Sequence, residues 1–220
     1  MITVHHLNKS RSQRVLWLLE ELGVDYTIKK YQRDAGDRAP KELLEVNPLG
    51  KSPVITDGDV VLAESGAIIE YIIKQHGNGK GVPDESGYLD NLYFLHYAEG
   101  SFMPTAVFKV IFSYIPKHSP WFLRPILSLI FGQLDTRLVQ PELQRNIELV
   151  EKHLEKSKSP WFAGGPEPTA ADYQMMFALS VLLEFENGAL AGPKLKAYVE
   201  MVKQRPAFKR ALEKVRESSE

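Results

Sequence analysis

Residues 47–65 read NPLGKSPVITDGDVVLAES, and this run decides the fold. Pro48, Leu49 and Gly50 signal a turn, and Ser52-Pro53 opens a short apolar run. Residues 53–56 and 60–62 read as two short strands, with Asp57-Gly58-Asp59 between them as a hairpin signal. Residues 65–76 continue as a helix with a stripe of Ala67, Ile68, Tyr71 and Ile72. Proline has no N–H to give a strand ladder. Pro53 is therefore either an ordinary trans proline on an edge strand or a cis proline after the Leu49-Gly50 turn. In the cis case the neighbouring backbone faces an open edge, where a ligand with peptide groups could pair as one more strand.

The far end of the run suits a charged group. Ser65 is placed to cap the next helix, and free N–H groups there attract a carboxylate. Glu64 could pair with an ammonium on the same ligand end, so one α-amino acid head would satisfy both residues. The competing reading is a plain helix cap beside a surface glutamate.

Upstream, residues 2–7 form a strand pattern, 12–22 a helix pattern closed by Gly23, and 25–31 a second strand. That order is a βαβ unit with a parallel strand pair. Residues 38–46 form a short helix or turn. Downstream, residues 77–87 (GNGKGVPDESG) hold four glycines and a proline, the composition of a linker. Beyond it the patterns are helical throughout: residues 88–113, 127–156 with an interruption at Pro141, 170–185, 194–204 and 206–217. The organisation expected is a first α/β domain over residues 1–77, a linker at 78–87, and an all-helical domain over 88–220.

Composition narrows the chemistry. The chain has 220 residues and a formal net charge of -1, which draws it toward neither nucleic acid nor an anionic surface as a whole. It contains no cysteine, so any thiol chemistry must use a ligand's thiol. Residues 1–10, MITVHHLNKS, lack the apolar run of a signal peptide, and a cytoplasmic location is expected. The apolar stretch WFLRPILSLIF at residues 121–131 falls short of a span of ~20 residues and reads as a buried or interfacial helix.

Ser10 follows the first strand and precedes the first helix. A hydroxyl there can donate to a thiolate held at the helix start, and Asn8 and Arg11 could do the same. The competing reading makes Ser10 or Ser12 the helix N-cap. His5 and His6 point to opposite faces of a strand and make no metal pair; no metal site is expected. Thr169-Ala170-Ala171-Asp172 has capping-box spacing, which gives Asp172 a structural role.

Four segments together carry a resemblance: SRSQR at residues 10–14, NPLGKSPVI with Pro53, AES at 63–65, and GGPEPTAADY near the end. Over essentially its whole length the chain resembles the soluble glutathione transferases, and HHLNKSRSQRVLWLLEELG looks most like their fungal and bacterial branch with the yeast-type enzymes. The resemblance implies an α/β thioredoxin-like N-terminal domain plus an all-α C-terminal domain. It also implies a homodimer and glutathione as cosubstrate, with no permanently bound cofactor.

The resemblance implies roles as well. Pro53 would be the cis proline, Ser52 would pair its backbone with the cysteinyl part of glutathione, and Glu64 and Ser65 would hold the γ-glutamyl end. Lys51 and a residue near Arg38 would meet the glycyl carboxylate. Theta-like members place a serine four residues before an arginine of the first helix, and Ser10 stands so to Arg14; Asn8 and Arg11 are its rivals. The implied reaction joins glutathione to a small apolar electrophile, with organic hydroperoxides as alternative substrates. Phe102, Met103, Val107, Phe108 and Tyr114 would wall the electrophile site. The alternative is a non-catalytic member that binds glutathione or a protein.

Overall fold

The computed structural model describes residues 1–184 and 188–216. The ends of the patterns expected to reach Phe185 and Glu217 lie outside the described residues. The chain begins with β1 (Ile2–Leu7), α1 (Gln13–Leu22) and β2 (Tyr26–Tyr31), then α2 (Lys41–Val46), β3 (Val54–Asp57), β4 (Val60–Ala63) and α3 (Ser65–His76). The sheet order is β2-β1-β3-β4, with β1 and β2 parallel and the β1–β3 and β3–β4 pairs antiparallel. This is the thioredoxin-like arrangement. Helices α1 and α3 pack together on one side of the sheet. On the other side Leu43 of α2 joins Leu7 and Tyr31 in a small apolar cluster.

The helical part continues as α4 (Tyr88–Tyr97), α5 (Met103–His118), α6 (Arg124–Leu134), α7 (Gln140–Lys156), α8 (Ala170–Glu184), α9 (Pro193–Gln204) and α10 (Pro206–Val215). Wide π-type turns at Ala98–Phe102 and Asp135–Val139 join α4 to α5 and α6 to α7. Each leads into a helix with proline in its first turn, Pro104 and Pro141. A proline removes one N–H from the ladder, and the turn before it widens to accommodate the loss. So the interruption expected at Pro141 is a widened turn ahead of it, and the break near Pro104 lay unread inside one continuous pattern.

Trp17 fastens the two parts together. Its side chain is fully buried and meets Tyr173 of α8 at 4.6 Å and Phe208 of α10 at 5.7 Å, both edge-on. Removing such a side chain costs about 3–5 kcal/mol. Asp172 at the start of α8 is fully buried and structural. Its Oδ2 accepts from the Thr169 N–H (2.8 Å) and hydroxyl (3.2 Å), and its Oδ1 from the Phe162 N–H (3.1 Å) and the Tyr198 hydroxyl (3.0 Å). Only half of the capping box forms, because Thr169 gives its hydroxyl to the carboxylate. Burial pushes the Asp172 carboxyl up to about 6 against those donors.

Candidate functional site

The site starts from the turn before β3. Asn47 is buried and ties that turn: its Nδ2 donates to the Lys51 carbonyl (3.0 Å) and its Oδ1 accepts from the Leu49 N–H (3.2 Å). Gly50 has φ 59°, a backbone conformation that favours glycine, and a Cβ there would crowd Leu44 Cδ2 at 2.9 Å. The turn delivers Ser52, whose bond to Pro53 is cis. Ser52 Oγ donates to the His5 carbonyl (2.7 Å) and accepts from the Leu7 N–H (3.2 Å), fastening the turn to β1.

Between β4 and α3, Glu64 has φ 71° and ψ 116°. A residue with a Cβ held there costs on the order of 1–3 kcal/mol. Glu64 occupies the N-cap position of α3 and makes no side-chain cap bond. Ser65 was expected to cap it; instead it is the first helical residue, with its hydroxyl turned inward. Arg14 Nη1 donates to that hydroxyl at 3.0 Å, and the Gln174 amide lies 3.2 Å from it. The buried guanidinium draws the hydroxyl away from the helix end, and the first N–H groups of α3 have no side-chain acceptor among the described residues.

Arg14 is the charged residue in the apolar face of α1, with its side chain 1% exposed. Its Nη1 also pairs with Glu99 Oε1 at 2.5 Å, and Arg11 Nε meets the same oxygen at 3.0 Å. Both guanidiniums lie over the Phe177 ring. Burial lowers the Arg14 pKa to about 10, with Glu99 opposing the fall. Burial alone would raise the Glu99 carboxyl, but Arg14 and then Arg11 hold it below the usual carboxylate range. Arg14 Nε and Nη2 are buried with no hydrogen-bond partner among the described residues.

Ser10 ends a buried hydroxyl chain. His6 Nδ1 is 2.6 Å from Ser12 Oγ, Ser12 Oγ is 2.9 Å from Ser10 Oγ, and Ser10 Oγ donates to Ser52 Oγ at 3.2 Å. Burial, then Lys30, push the His6 pKa down, which favours a neutral ring. With the hydrogen on Nδ1, His6 donates to Ser12 and Ser12 to Ser10, and Ser10 keeps its own hydrogen for Ser52 or for an incoming sulfur. With the hydrogen on Nε2, Ser12 donates to the ring and can draw the Ser10 hydrogen inward. Ser12 stands at the N-cap position of α1 but makes no side-chain cap bond.

One cavity of about 450 Å³ gathers these parts. Ser10 and Arg11 line it from one side; Lys51, Ser52, Pro53, Glu64 and Ser65 line it from the other. Asn8 and Arg38 are not in its lining. Asn8 Oδ1 accepts from the Arg33 N–H (3.0 Å), so it positions Arg33, which does line the cavity. Arg38 points to solvent, 81% exposed, beside Asp34 at 3.4 Å. Sequence reasoning missed Lys9, Arg33, Glu99 and, behind the wall, Arg14. A lone arginine in the apolar face of α1 was a readable sign of Arg14. Glu99 was marked only as the last acid before a long acid-free run, and nothing local marked Arg33.

Two residues of the expected apolar wall need correction. Phe102, at the end of the widened turn, and Met103, the first residue of α5, are core residues, 0% and 3% exposed. Val107, Phe108 and Tyr114 are exposed on α5, but none lines this cavity. A second cavity of about 530 Å³ lies between residues 79–84 and the loop before α8, and no expected site residue reaches it.

The chemistry of the 450 Å³ cavity is that of a zwitterion receptor. Lys9, Arg11, Arg33 and Lys51 line it together with Glu64 and Glu99, Arg11 paired to Glu99, and the open start of α3 lies at one end. Comparison with known proteins adds to this geometry. The family model for the glutathione S-transferase N-terminal domain matches residues 1–74, and that for the glutathione S-transferase C-terminal domain matches residues 124–215. Glutathione S-transferase 3 of Schizosaccharomyces pombe is 33% identical over 100% of this chain and 90% of its own length. Glutathione S-transferase 1 of Saccharomyces cerevisiae is 28% identical over 98% and 96%. A solved glutathione S-transferase from Actinobacillus pleuropneumoniae superposes with a TM-score of 0.73 at 31% identity, covering 97% of this chain and 92% of that one.

Proposed function

The chain belongs to the glutathione S-transferase family, and on that premise we propose that it is a working transferase that joins glutathione to apolar electrophiles. In this reading Ser52 pairs its backbone with the cysteinyl unit. The open start of α3 with Ser65 receives the γ-glutamyl carboxylate, and Glu64 meets its ammonium. Lys51 and Arg33, in place of Arg38, meet the glycyl carboxylate. The observation that carries the reading is the convergence of Ser10, Ser52, cis Pro53, Glu64 and Ser65 on one cavity.

Ser10 redirects its hydrogen from Ser52 to the glutathione sulfur. That bond and the start of α1 favour the thiolate and lower its pKa from the ~8.5 of a free thiol. The thiolate attacks an electrophilic carbon, a carbon–sulfur bond forms, and the leaving group departs with its electron pair. With a hydroperoxide the thiolate attacks the terminal peroxide oxygen, the O–O bond breaks, and the alkoxide leaves as the alcohol after taking a proton from water. A second glutathione then displaces water from the resulting sulfenic acid to give the disulfide, with no further protein group. The electrophile approaches past Arg11 and the Phe177 ring beneath it. The protein works in the cytoplasm, and it does so as a homodimer; the exposed Leu89 and Tyr93 on α4, 72% and 49% exposed, support the dimer. Its domains divide at residues 78–87, where limited proteolysis should cut first.

Retention on immobilised glutathione, followed by conjugation assays with an activated aryl halide and an organic hydroperoxide, tests the reading. Turnover with either supports it. Retention with no turnover on a panel of both classes assigns the chain to the non-catalytic members instead.

A further inference from the structure

None of the residues of α6 is buried. The helix packs against α5 through half-buried Leu127 and Phe131, with Phe131 5.5 Å from Phe112. Its other face shows Ile126, Leu129 and Ile130 at 59%, 67% and 49% exposure. Just ahead of it, Trp121 and Phe122 stand 79% and 61% exposed. A helix apolar on every side is normally enclosed, and an apolar surface of this extent marks a place of contact.

The charge around the patch selects its occupant. Residues 100–134 contain no aspartate or glutamate. Lys117, His118 and Arg124 are exposed around Trp121 and Phe122 where α5 turns into α6. A symmetric contact with a second copy would set Lys117 and Arg124 against their own counterparts, with no acid in the segment to pair them. An anionic bilayer matches both features: its acyl boundary takes the apolar side chains, tryptophan favours that boundary, and the headgroups take the cations. No helix among the described residues is long and apolar enough to cross a membrane, so such contact is made from one side.

We propose that the α5–α6 tip, Trp121 and Phe122 flanked by Lys117 and Arg124, docks the protein on an anionic phospholipid surface. The inference stands apart from the glutathione site. It would bring that site to the phase in which apolar electrophiles concentrate.

The test mixes the full chain with vesicles of phosphatidylcholine alone or with added phosphatidylserine, and reads co-sedimentation and tryptophan emission. The chain has three tryptophans; Trp17 and Trp161 are 0% and 3% exposed, so a shift on binding reports Trp121. Binding with a blue shift is expected on the phosphatidylserine vesicles, weakened by salt. Trp121→Ser combined with Phe122→Ser should weaken it by roughly tenfold or more, and Lys117→Gln by about fivefold. Unchanged far-UV circular dichroism shows that the variants fold. No binding, equal binding to both vesicle types, or binding indifferent to these substitutions overturns the proposal. So does a concentration-dependent mass without vesicles that Trp121→Ser abolishes, which would assign the patch to a second copy.

Discussion

Glu64 shows how single residues divide between holding the fold and serving the site. Its φ of 71° is unfavourable for a side chain with a Cβ. Glu64→Gly should raise stability by about 1 kcal/mol in urea unfolding and weaken glutathione binding in calorimetric titration. Equal affinity in the variant would remove Glu64 from the ligand. Ser10→Ala should lower turnover by about tenfold or more while changing glutathione affinity little. Ser12→Ala should act in the same direction, because Ser12 joins Ser10 to His6; an unchanged rate would exclude the hydroxyl chain from activity. If Asn8→Ala abolished turnover and Ser10→Ala did not, the serine assignment would be wrong. Ser10, Ser52 and Glu64 were legible because they sit beside turns and element ends that show in the sequence. Arg14 and Glu99 meet across 85 residues, and no local pattern reports such a pair.

At the scale of elements, the limits of β1 and α3 matched the hydrophobic pattern because strong turn signals bound them. The α4–α5 break was hidden because a widened turn keeps helical periodicity nearly intact while rotating the helix beyond it. Phe102, inside the widened turn, is buried, while Phe108 further along α5 is exposed. Helix α10 is clamped to α1 through Glu20, which accepts from Lys214 (2.5 Å), Arg210 (2.7 Å) and the Tyr26 hydroxyl (2.7 Å). Burial opposes the charge of Glu20, and the bonds from Lys214, Tyr26 and Arg210 prevail, taking its pKa from 4.5 to about 2. A depressed carboxyl stabilises the fold above its unfolded pKa and loses that contribution as pH falls through the folded one. Stability should therefore fall between about pH 4.5 and 2 with a slope that Glu20→Gln removes. Denaturant midpoints across that range check it; parallel slopes in the two proteins would contradict the clamp.

Across the whole molecule, the division into a sheet-bearing part and a helical part was legible from the change in periodicity after residue 77. Which apolar faces are core and which are surface was not, because periodicity marks a stripe without naming its cover. The candidate site draws on both parts, with most of its cavity built on the sheet-bearing part and Glu99 reaching in from the helical one. Trp17→Ala, which unfastens α1 from α8 and α10, should destabilise the protein by about 3–5 kcal/mol and weaken glutathione binding with it. Thermal unfolding with and without glutathione measures both effects. Following the thiolate absorbance of bound glutathione against pH shows whether this cavity binds glutathione and favours its thiolate. An apparent pKa at least about one unit below the ~8.5 of a free thiol is the result expected. A bound thiol that still titrates near ~8.5 would contradict it.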